Sequence, residues 1–328
     1  MMKEKDELYM RRCLQLAECG RENAKPNPMV GAVIVYDDRI IGEGYHVRCG
    51  EGHAEVNAFA SVSPEDEPLL SESTIYVSLE PCSHYGKTPP CCDLIISKGV
   101  RRVVVGCVDP FAKVQGRGIE RIRNAGIEVT VGVLEAECRR LNRRFITYHE
   151  HHRPYITLKW AQSLDGFIDS DFRPYTFSTP FTKMLSHRLR AENDAILVGR
   201  ITDERDCPSL NIREWWGKKD PLRIVIGGGK INIGKETIPV NPSDMLRRLM
   251  DILHERGVQS LIVEGGARTL QRFINARLYD EIRIETAPVC VHRGTVSPVI
   301  SDDITTIDIS SYSGNTIATY IPTSEVHH

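Results

Sequence analysis

The stretch Glu80–Cys92, EPCSHYGKTPPCC, packs three cysteines, one histidine and three prolines into thirteen residues. Cys82 and Cys91 each follow a proline, so each is expected to enter a turn or open a helix. Free N–H groups at a helix start favour the thiolate form of a cysteine placed there. Twenty-nine residues before Cys82 stands His53, followed by Ala54 and Glu55 in GHAEVNAF. One imidazole and two thiolates are donors of the softness zinc prefers. Three protein ligands leave a fourth position open, which marks a catalytic rather than a structural centre. A lone cysteine is normally a small buried hydrophobe. Here the ordered joint occurrence of His-Ala-Glu, Glu-Pro-Cys and Pro-Pro-Cys favours the metal. Cys92 is then expected to pack elsewhere and His84 not to be a ligand.

A His-x-Glu followed by Pro-Cys is the pattern of zinc deaminases, with the glutamate moving protons between water and the base. Positions i and i+2 do not share a helix face. The motif therefore requires His53 to stand at the helix start, before helical geometry sets in. Eight residues separate Cys82 from Cys91, where nucleoside deaminases carry a short Cys-x-x-Cys.

The chain has 328 residues, 41% hydrophobic and 26% charged, which predicts two globular domains. A net charge of −2 provides no basic field for nucleic acid. No run approaches the roughly 20 apolar residues of a membrane helix. The start, MMKEKDELYMRR, lacks an apolar signal core, so the ten cysteines are expected to be cytosolic thiols or metal ligands.

The first half predicts an amphipathic helix over Asp6–Glu22 and strands over Met29–Tyr36 and Arg39–His46 joined by an Asp37-Asp38 turn. A helix from near His53, a strand over Thr74–Leu79 and a helix after Pro89-Pro90 follow. Beyond them come a strand over Arg102–Cys107, a helix over Gly116–Ala125, a strand over Glu128–Val131 and a helix over Glu135–Phe145. The polar segment Thr147–Pro154, TYHEHHRP, reads as a solvated linker, with domains expected over 1–148 and 149–328. The second half predicts strands over Tyr155–Ala161, Ala195–Val198, Leu222–Ile226, Ser260–Val263, Glu281–Ala287 and Thr316–Ile321. Its expected helices cover Thr182–Ala191, Ser243–Arg256 and Thr269–Ala276. This rhythm is that of layered α/β domains.

The eight-residue insert, together with HAEVNAF, PNPMVGAVIV and VDPFAKVQGRG, resembles the deaminase half of the bifunctional riboflavin biosynthesis RibD family. The resemblance covers about residues 6–148 and implies a three-layer domain like cytidine deaminase. It implies His53, Cys82 and Cys91 as zinc ligands and Glu55 as the catalytic proton carrier. Asn27, His46, Lys87 and Asp109 match family positions that contact the pyrimidine and the ribose phosphate. An amide suits a pyrimidine edge, and Lys87 offers a phosphate a point charge. The family often carries asparagine where this chain has Phe111.

In the second half, LIVEGGARTL is a buried strand ending in a glycine pair that lets backbone amides approach a pyrophosphate. PYITLKWAQSLDG places Lys159 inside an apolar strand, which is rare without a purpose. With HRLRAENDAILVGRIT, DCPSLNIR and PLRIVI, these segments look like the family's reductase domain, whose fold is similar to dihydrofolate reductase. The resemblance implies NADPH, held by Ala161, Thr202, Asp206, Gly266, Ala267, Arg268, Thr269, Leu270, Gln271 and Arg272. It implies substrate contacts at Arg190, Leu210, Arg213 and Glu264, with Lys159 and Asp165 close to the reduction. The loop Arg173–Thr179, RPYTFST, departs from the family pattern, so no site residue is assigned there. The connection between PLRIVIG and LIVEGG is short, which predicts a reduced outer surface around the cofactor.

The expected function is zinc-dependent deamination of 2,5-diamino-6-(5-phosphoribosylamino)pyrimidin-4(3H)-one, then NADPH-dependent reduction of its ribosyl group to ribityl, in the cytoplasm. The resemblance also implies a dimer or tetramer. Two rivals make different demands: a tRNA or nucleoside deaminase with an unrelated appended domain, and a non-catalytic zinc assembly protein. The latter needs a fourth ligand, for which His84 and Cys92 are the nearby candidates.

Overall fold

Alternating apolar and small residues in GAVIVY and RIIGEGY, split by two aspartates, make a hairpin around which the first half is built. Asp37 and Asp38 both take left-handed φ angles, 43° and 62°, the combination a tight two-residue turn needs. The computed structural model of the protein describes residues 2–85, 89–111, 115–216 and 219–325. The chain divides into two units, Met1–His151 and His152–His328.

The first unit runs α1 (Met2–Glu18), β1 (Gly31–Tyr36), β2 (Arg39–Tyr45), α2 (Ala54–Ala60), β3 (Thr74–Leu79), α3 (Cys91–Lys98), β4 (Arg102–Cys107), α4 (Arg117–Asn124), β5 (Glu128–Val131), α5 (Glu135–Leu141) and α6 (Arg143–His151). Its five strands lie in the order β2-β1-β3-β4-β5. The hairpin and β1–β3 are antiparallel, while β3, β4 and β5 are parallel. One sheet face packs on α2, α3 and α4 through Ala58, Phe59, Ile95, Ile119 and Ile122. The other packs on α1 and α5 through Met10, Cys13 and Cys138, which completes three layers. Buried Arg102 donates to both oxygens of Asp6 at 2.8 Å, tying α1 to β4.

The second unit runs β6 (Tyr155–Gln162), α7 (Pro180–Glu192), β7 (Ala195–Gly199), α8 (Arg200–Asp206), β8 (Leu222–Gly227), β9 (Lys230–Ile233), β10 (Glu236–Pro239), α9 (Met245–Glu255), β11 (Ser260–Glu264), α10 (Ala267–Asn275), β12 (Glu281–Thr286), β13 (Ile304–Tyr312) and β14 (Asn315–Pro322). The nine strands lie in the order β10-β9-β8-β7-β11-β6-β12-β14-β13. The five central ones, β8-β7-β11-β6-β12, are parallel, and antiparallel hairpins extend both edges. The apolar core under α9 and α10 includes Leu158, Leu197, Leu249, Leu253 and Phe273.

Four expectations need correction. Thr147–His151 is not linker but the second half of α6, and the helix expected over Glu135–Phe145 is two helices divided at Asn142. The Asn142 side chain accepts from the Met29 N–H and donates to the Met29 carbonyl, both at 2.8 Å, which draws it out of the helical series. The helix expected over Asp6–Glu22 is α1, Met2–Glu18, four residues earlier at each end. The connection after PLRIVIG holds the β9–β10 hairpin and, as expected, a helix, α9. The short α8 and the edge strand β13 had no periodic apolar signal, because most of their residues are exposed or half-buried.

Candidate active sites

The first site assembles where two helices begin. His53 is the cap residue before α2, with φ −70° and ψ 168°, so it is still extended while Ala54 and Glu55 are helical. That break in geometry resolves the i, i+2 difficulty. The His53 side chain makes no capping bond and turns instead to the start of α3, where Cys91 follows Pro90. His53 Nδ1 lies 3.5 Å from Cys82 Sγ and 3.3 Å from Cys91 Sγ. Bonds of about 2.0 Å to nitrogen and 2.3 Å to sulfur in a tetrahedron place those atoms about 3.5 Å apart. The donor set therefore fits zinc. Among the described residues this is the one group of three or more potential ligands.

The thiols agree with that fit. Cys82 is drawn below the ordinary thiol range by hydrogen bonding with Cys91 and then with His53. Cys91 is pushed up by the same partner and by burial. The Cys91 N–H donates to Cys82 Sγ at 3.3 Å, the helix-start stabilisation expected for a thiolate. Cys92 is fully buried in the apolar core, and His84 lies against the ring of Phe111.

Glu55 is 3% exposed. Burial, followed by the charge on Cys82, pushes its carboxyl up to about 7, a value suited to a group that both takes and returns a proton near neutrality. His46 stands edge-on to His53, with ring centroids 5.4 Å apart. Its Nδ1 meets the Gly52 carbonyl at 3.2 Å, so that nitrogen carries the hydrogen. Nε2 is then the acceptor for the Asn27 amide at 3.1 Å. Burial lowers the His46 pKa and favours this neutral form. The bond leaves Asn27 with its carbonyl oxygen and one N–H for another partner.

The structure also brings in a residue that sequence reasoning passed over. Glu80, 4% exposed, sits between the end of β3 and Cys82. Its carboxylate accepts N–H bonds from Asp109 (3.2 Å), Gly116 (2.8 Å), Gly118 (3.0 Å) and Ile119 (3.4 Å). It thus fastens the ligand-bearing loop to the loop after β4 and to the start of α4. Asp109 is buried there, and burial raises its carboxyl to about 6. The signal was adjacency to Cys82 in an otherwise apolar strand end. Lys87 lies outside the described residues.

The second site lies at the C-terminal ends of the parallel strands. Glu264 of β11 pairs in register with Lys159 of β6, whose other neighbour is Arg283 of β12. Arg190 of α7 clamps the Glu264 carboxylate with two bonds, of 3.0 and 2.6 Å, and donates to the Asn211 carbonyl at 3.3 Å. Burial opposes the charge on Glu264, yet Lys159 and then Arg190 hold its pKa below the usual value. The Arg213 backbone N–H donates to His187 Nδ1 at 3.2 Å, and Leu210 packs with Leu189 and Ile262. Arg190, Leu210, Arg213, Glu264 and Lys159 thus gather around one sheet face. In the unassigned loop, Ser178 donates to Glu285 at 2.7 Å.

Beside them two glycine turns come close enough to form a cradle. A Cβ on Gly199 would stand 2.3 Å from Thr269 Oγ1, and one on Gly266 2.8 Å from Thr202 Oγ1. Gly265 and Gly266 take φ angles of 85° and 75° ahead of α10. This narrow backbone approach at a helix start fits the phosphates of a nucleotide cofactor. Ala267 and Arg268 open α10 next to it, and Ala161 is the next-to-last residue of β6. Other expected cofactor residues are engaged elsewhere. Leu270 is fully buried, Gln271 bonds Val299, Arg272 reaches the Pro242 carbonyl and Asp206 pairs with Arg205 at 2.7 Å. Asp165 accepts from the Val291 and His292 amides at 3.2 and 2.8 Å, which makes it a loop anchor.

Residues 3–107 match the cytidine and deoxycytidylate deaminase zinc-binding region, and residues 154–303 the RibD C-terminal domain. The chain is 38% identical over 324 residues to riboflavin biosynthesis protein RibD of Aquifex aeolicus, covering 90% of each. It is 42% identical over 236 residues to RibD of Escherichia coli, covering 67% of this chain and 63% of that one. A solved structure from Thermotoga maritima, described as a diaminohydroxyphosphoribosylaminopyrimidine deaminase/5-amino-6-(5-phosphoribosylamino)uracil reductase, superposes with a TM-score of 0.86. It shares 31% identity and is covered in full by 98% of this chain. Acinetobacter baumannii RibD superposes with a TM-score of 0.84 at 28% identity, again over 98% of this chain and 100% of that one. With a zinc-type triad in a deaminase domain and a nucleotide cradle in a reductase domain, the chain belongs to the RibD family of bifunctional riboflavin biosynthesis enzymes.

Proposed function

We propose that the first unit deaminates 2,5-diamino-6-(5-phosphoribosylamino)pyrimidin-4(3H)-one and the second reduces the resulting 5-amino-6-(5-phosphoribosylamino)uracil with NADPH. The carrying observation is the His53–Cys82–Cys91 triad with the buried carboxyl of Glu55 next to it. His53, Cys82 and Cys91 would hold the zinc, which when bound would lower the pKa of water at the open position. Glu55 carries the first proton of the attacking water to the ring nitrogen, and then the remaining hydroxyl proton of the adduct to the amino group, which leaves as ammonia. Asn27, fixed by His46, reads the pyrimidine edge. Asp109 and Lys87 serve the ribose phosphate side.

In the second unit NADPH, held along the cradle, would supply the hydride. Lys159 provides the proton for the sugar oxygen, with Glu264 holding its ammonium in place through the adjacent strand. Arg213 faces the phosphate. Arg190, bound to Glu264, supports that contact from behind rather than meeting the phosphate alone. Asp165 keeps its loop closed on the 290–292 segment. Thr202, Gly266 and Thr269 line the pyrophosphate path. Among the described residues no helix is long and apolar enough to cross a membrane, and we place the enzyme in the cytoplasm as a homo-oligomer.

Glu55→Gln decides the first step. It should cut ammonia release by roughly 10²–10⁴-fold, while zinc content and NADPH oxidation on the deaminated substrate stay at wild-type levels. Deamination close to the wild-type rate in this variant would sink the mechanism.

A further inference from the structure

Helix α7 carries Lys183, His187 and Arg190 at i, i+4 and i+7, which puts them on one face. All three reach the loop 211–214. Arg190 donates to the Asn211 carbonyl at 3.3 Å, His187 Nδ1 accepts from the Arg213 N–H at 3.2 Å, and Lys183 pairs with Glu214 at 2.9 Å. Helix and loop therefore run in opposite directions, with successive turns of one gripping successive residues of the other.

The three grips are unequal. Lys183 and Glu214 are both exposed, and an ion pair in water contributes little. Arg190 is committed to Glu264 by shorter bonds, of 3.0 and 2.6 Å. His187 is 1% exposed and meets the main chain of Arg213 itself. Burial and then the charge of Arg190 lower its pKa, which keeps the ring neutral and leaves Nδ1 able to accept. The loop is braced from within as well. The Ile212 N–H donates to Asp220 and Arg213 Nη1 to the Asn211 side chain, both at 2.8 Å. Among the described residues no carboxylate pairs with the Arg213 guanidinium, because Glu214 turns to Lys183. An exposed guanidinium fixed at its main chain and left without an acid is arranged to take an anion.

We propose that His187 is a positioning residue of the reductase. By accepting the Arg213 N–H it fixes where the guanidinium meets the phosphate of 5-amino-6-(5-phosphoribosylamino)uracil. It acts through Arg213 and takes no part in hydride or proton transfer. This rests on the reading of Arg213 given above.

The test uses the full-length chain, the deaminated substrate and NADPH, with both KM values and kcat followed. An asparagine Oδ1 stands where histidine Nδ1 stands, whereas a glutamine Oε1 reaches one atom further. His187→Gln should raise the KM for the phosphoribosyl substrate about tenfold, with kcat and the KM for NADPH within about twofold. His187→Asn should bring the substrate KM back to within about threefold of wild type. Arg213→Ala should itself raise that KM about tenfold or more. In its background the contrast between Gln and Asn at position 187 should vanish, since no guanidinium remains to be aimed. Equal substrate KM values in His187→Gln and His187→Asn would overturn the proposal, whether both stay at the wild-type value or both rise. So would a comparable change in kcat or in the KM for NADPH, which would mark damage to the whole unit. An Arg213→Ala chain with the wild-type KM would overturn the reading of Arg213, and the role of His187 with it.

Discussion

Glu264 carries a charge into the middle of a nine-stranded sheet, where burial by itself would neutralise it. Lys159 on the next strand and the two bonds from Arg190 keep it ionised. A carboxylate held below its ordinary value of 4.5 contributes stability that is complete above that value and lost as pH falls through the lower one. Glu264→Gln, which strands the Arg190 guanidinium, should cost about 3 kcal/mol at neutral pH in urea unfolding. The variant should also be less sensitive than wild type to acidification below pH 4.5. A variant as stable as wild type at pH 7 would mean the pair contributes nothing. At this scale the cluster of His53, Cys82 and Cys91 was the most legible part of the chain. Their residue types and spacing carry the chemistry whatever the surrounding fold. Glu80 was not legible, because its partners are amides 29 to 39 residues further on and an amide leaves no mark in a residue's identity. Asp165 and Arg190 were singled out as site residues, but that identity did not disclose that other groups of the fold occupy them.

The element that delivers His53 and Glu55 is a helix of two turns, α2, and its placement depends on two glycines of β2. A Cβ on Gly44 would stand 2.3 Å from the Ala58 nitrogen and 2.6 Å from the Ala54 carbonyl, and one on Gly42 2.6 Å from the Ala58 carbonyl. All three are backbone atoms, so Gly44→Ala must push α2 off the sheet. It should lose about 2 kcal/mol of stability and most of its zinc by metal analysis, while NADPH oxidation persists. Full zinc occupancy would show that the helix can give way without harm. Glu80→Gln tests the neighbouring loop. The amide replaces an acceptor that four N–H groups need, and about 1–3 kcal/mol should be lost by the same measurement. Most strands and helices with a clear apolar period were read to within about two residues, but α1 begins and ends four residues before the expected Asp6–Glu22. The end of α6 was not, since histidines and glutamate show no stripe and its helicity continues past the break at Asn142.

Across the whole molecule, the two units carry separate cores and separate sites. Heating should accordingly give two transitions in calorimetry. A zinc chelator should lower one of them by about 5 °C or more and leave the other in place. A single transition, shifted as a whole, would mean that the units unfold together. The order of the two domains was legible because each half carries its own motifs. The nine-strand width of the second sheet was not, since β9 and β10 have four residues each and no residue of β13 is buried.

The meeting of two helix starts at one triad has a consequence in time. His53 and Cys91 are 38 residues apart in the chain and come together only after β3 has taken its place between β1 and β4. Full capture of the cation should therefore report a finished deaminase domain, with zinc uptake during refolding following the recovery of sheet structure. Its release needs only the first turns of α2 and α3 to part. Demetallation by a chelator should then proceed at a rate nearly indifferent to mild denaturant, as a local breathing of two caps while the sheet behind them stays intact.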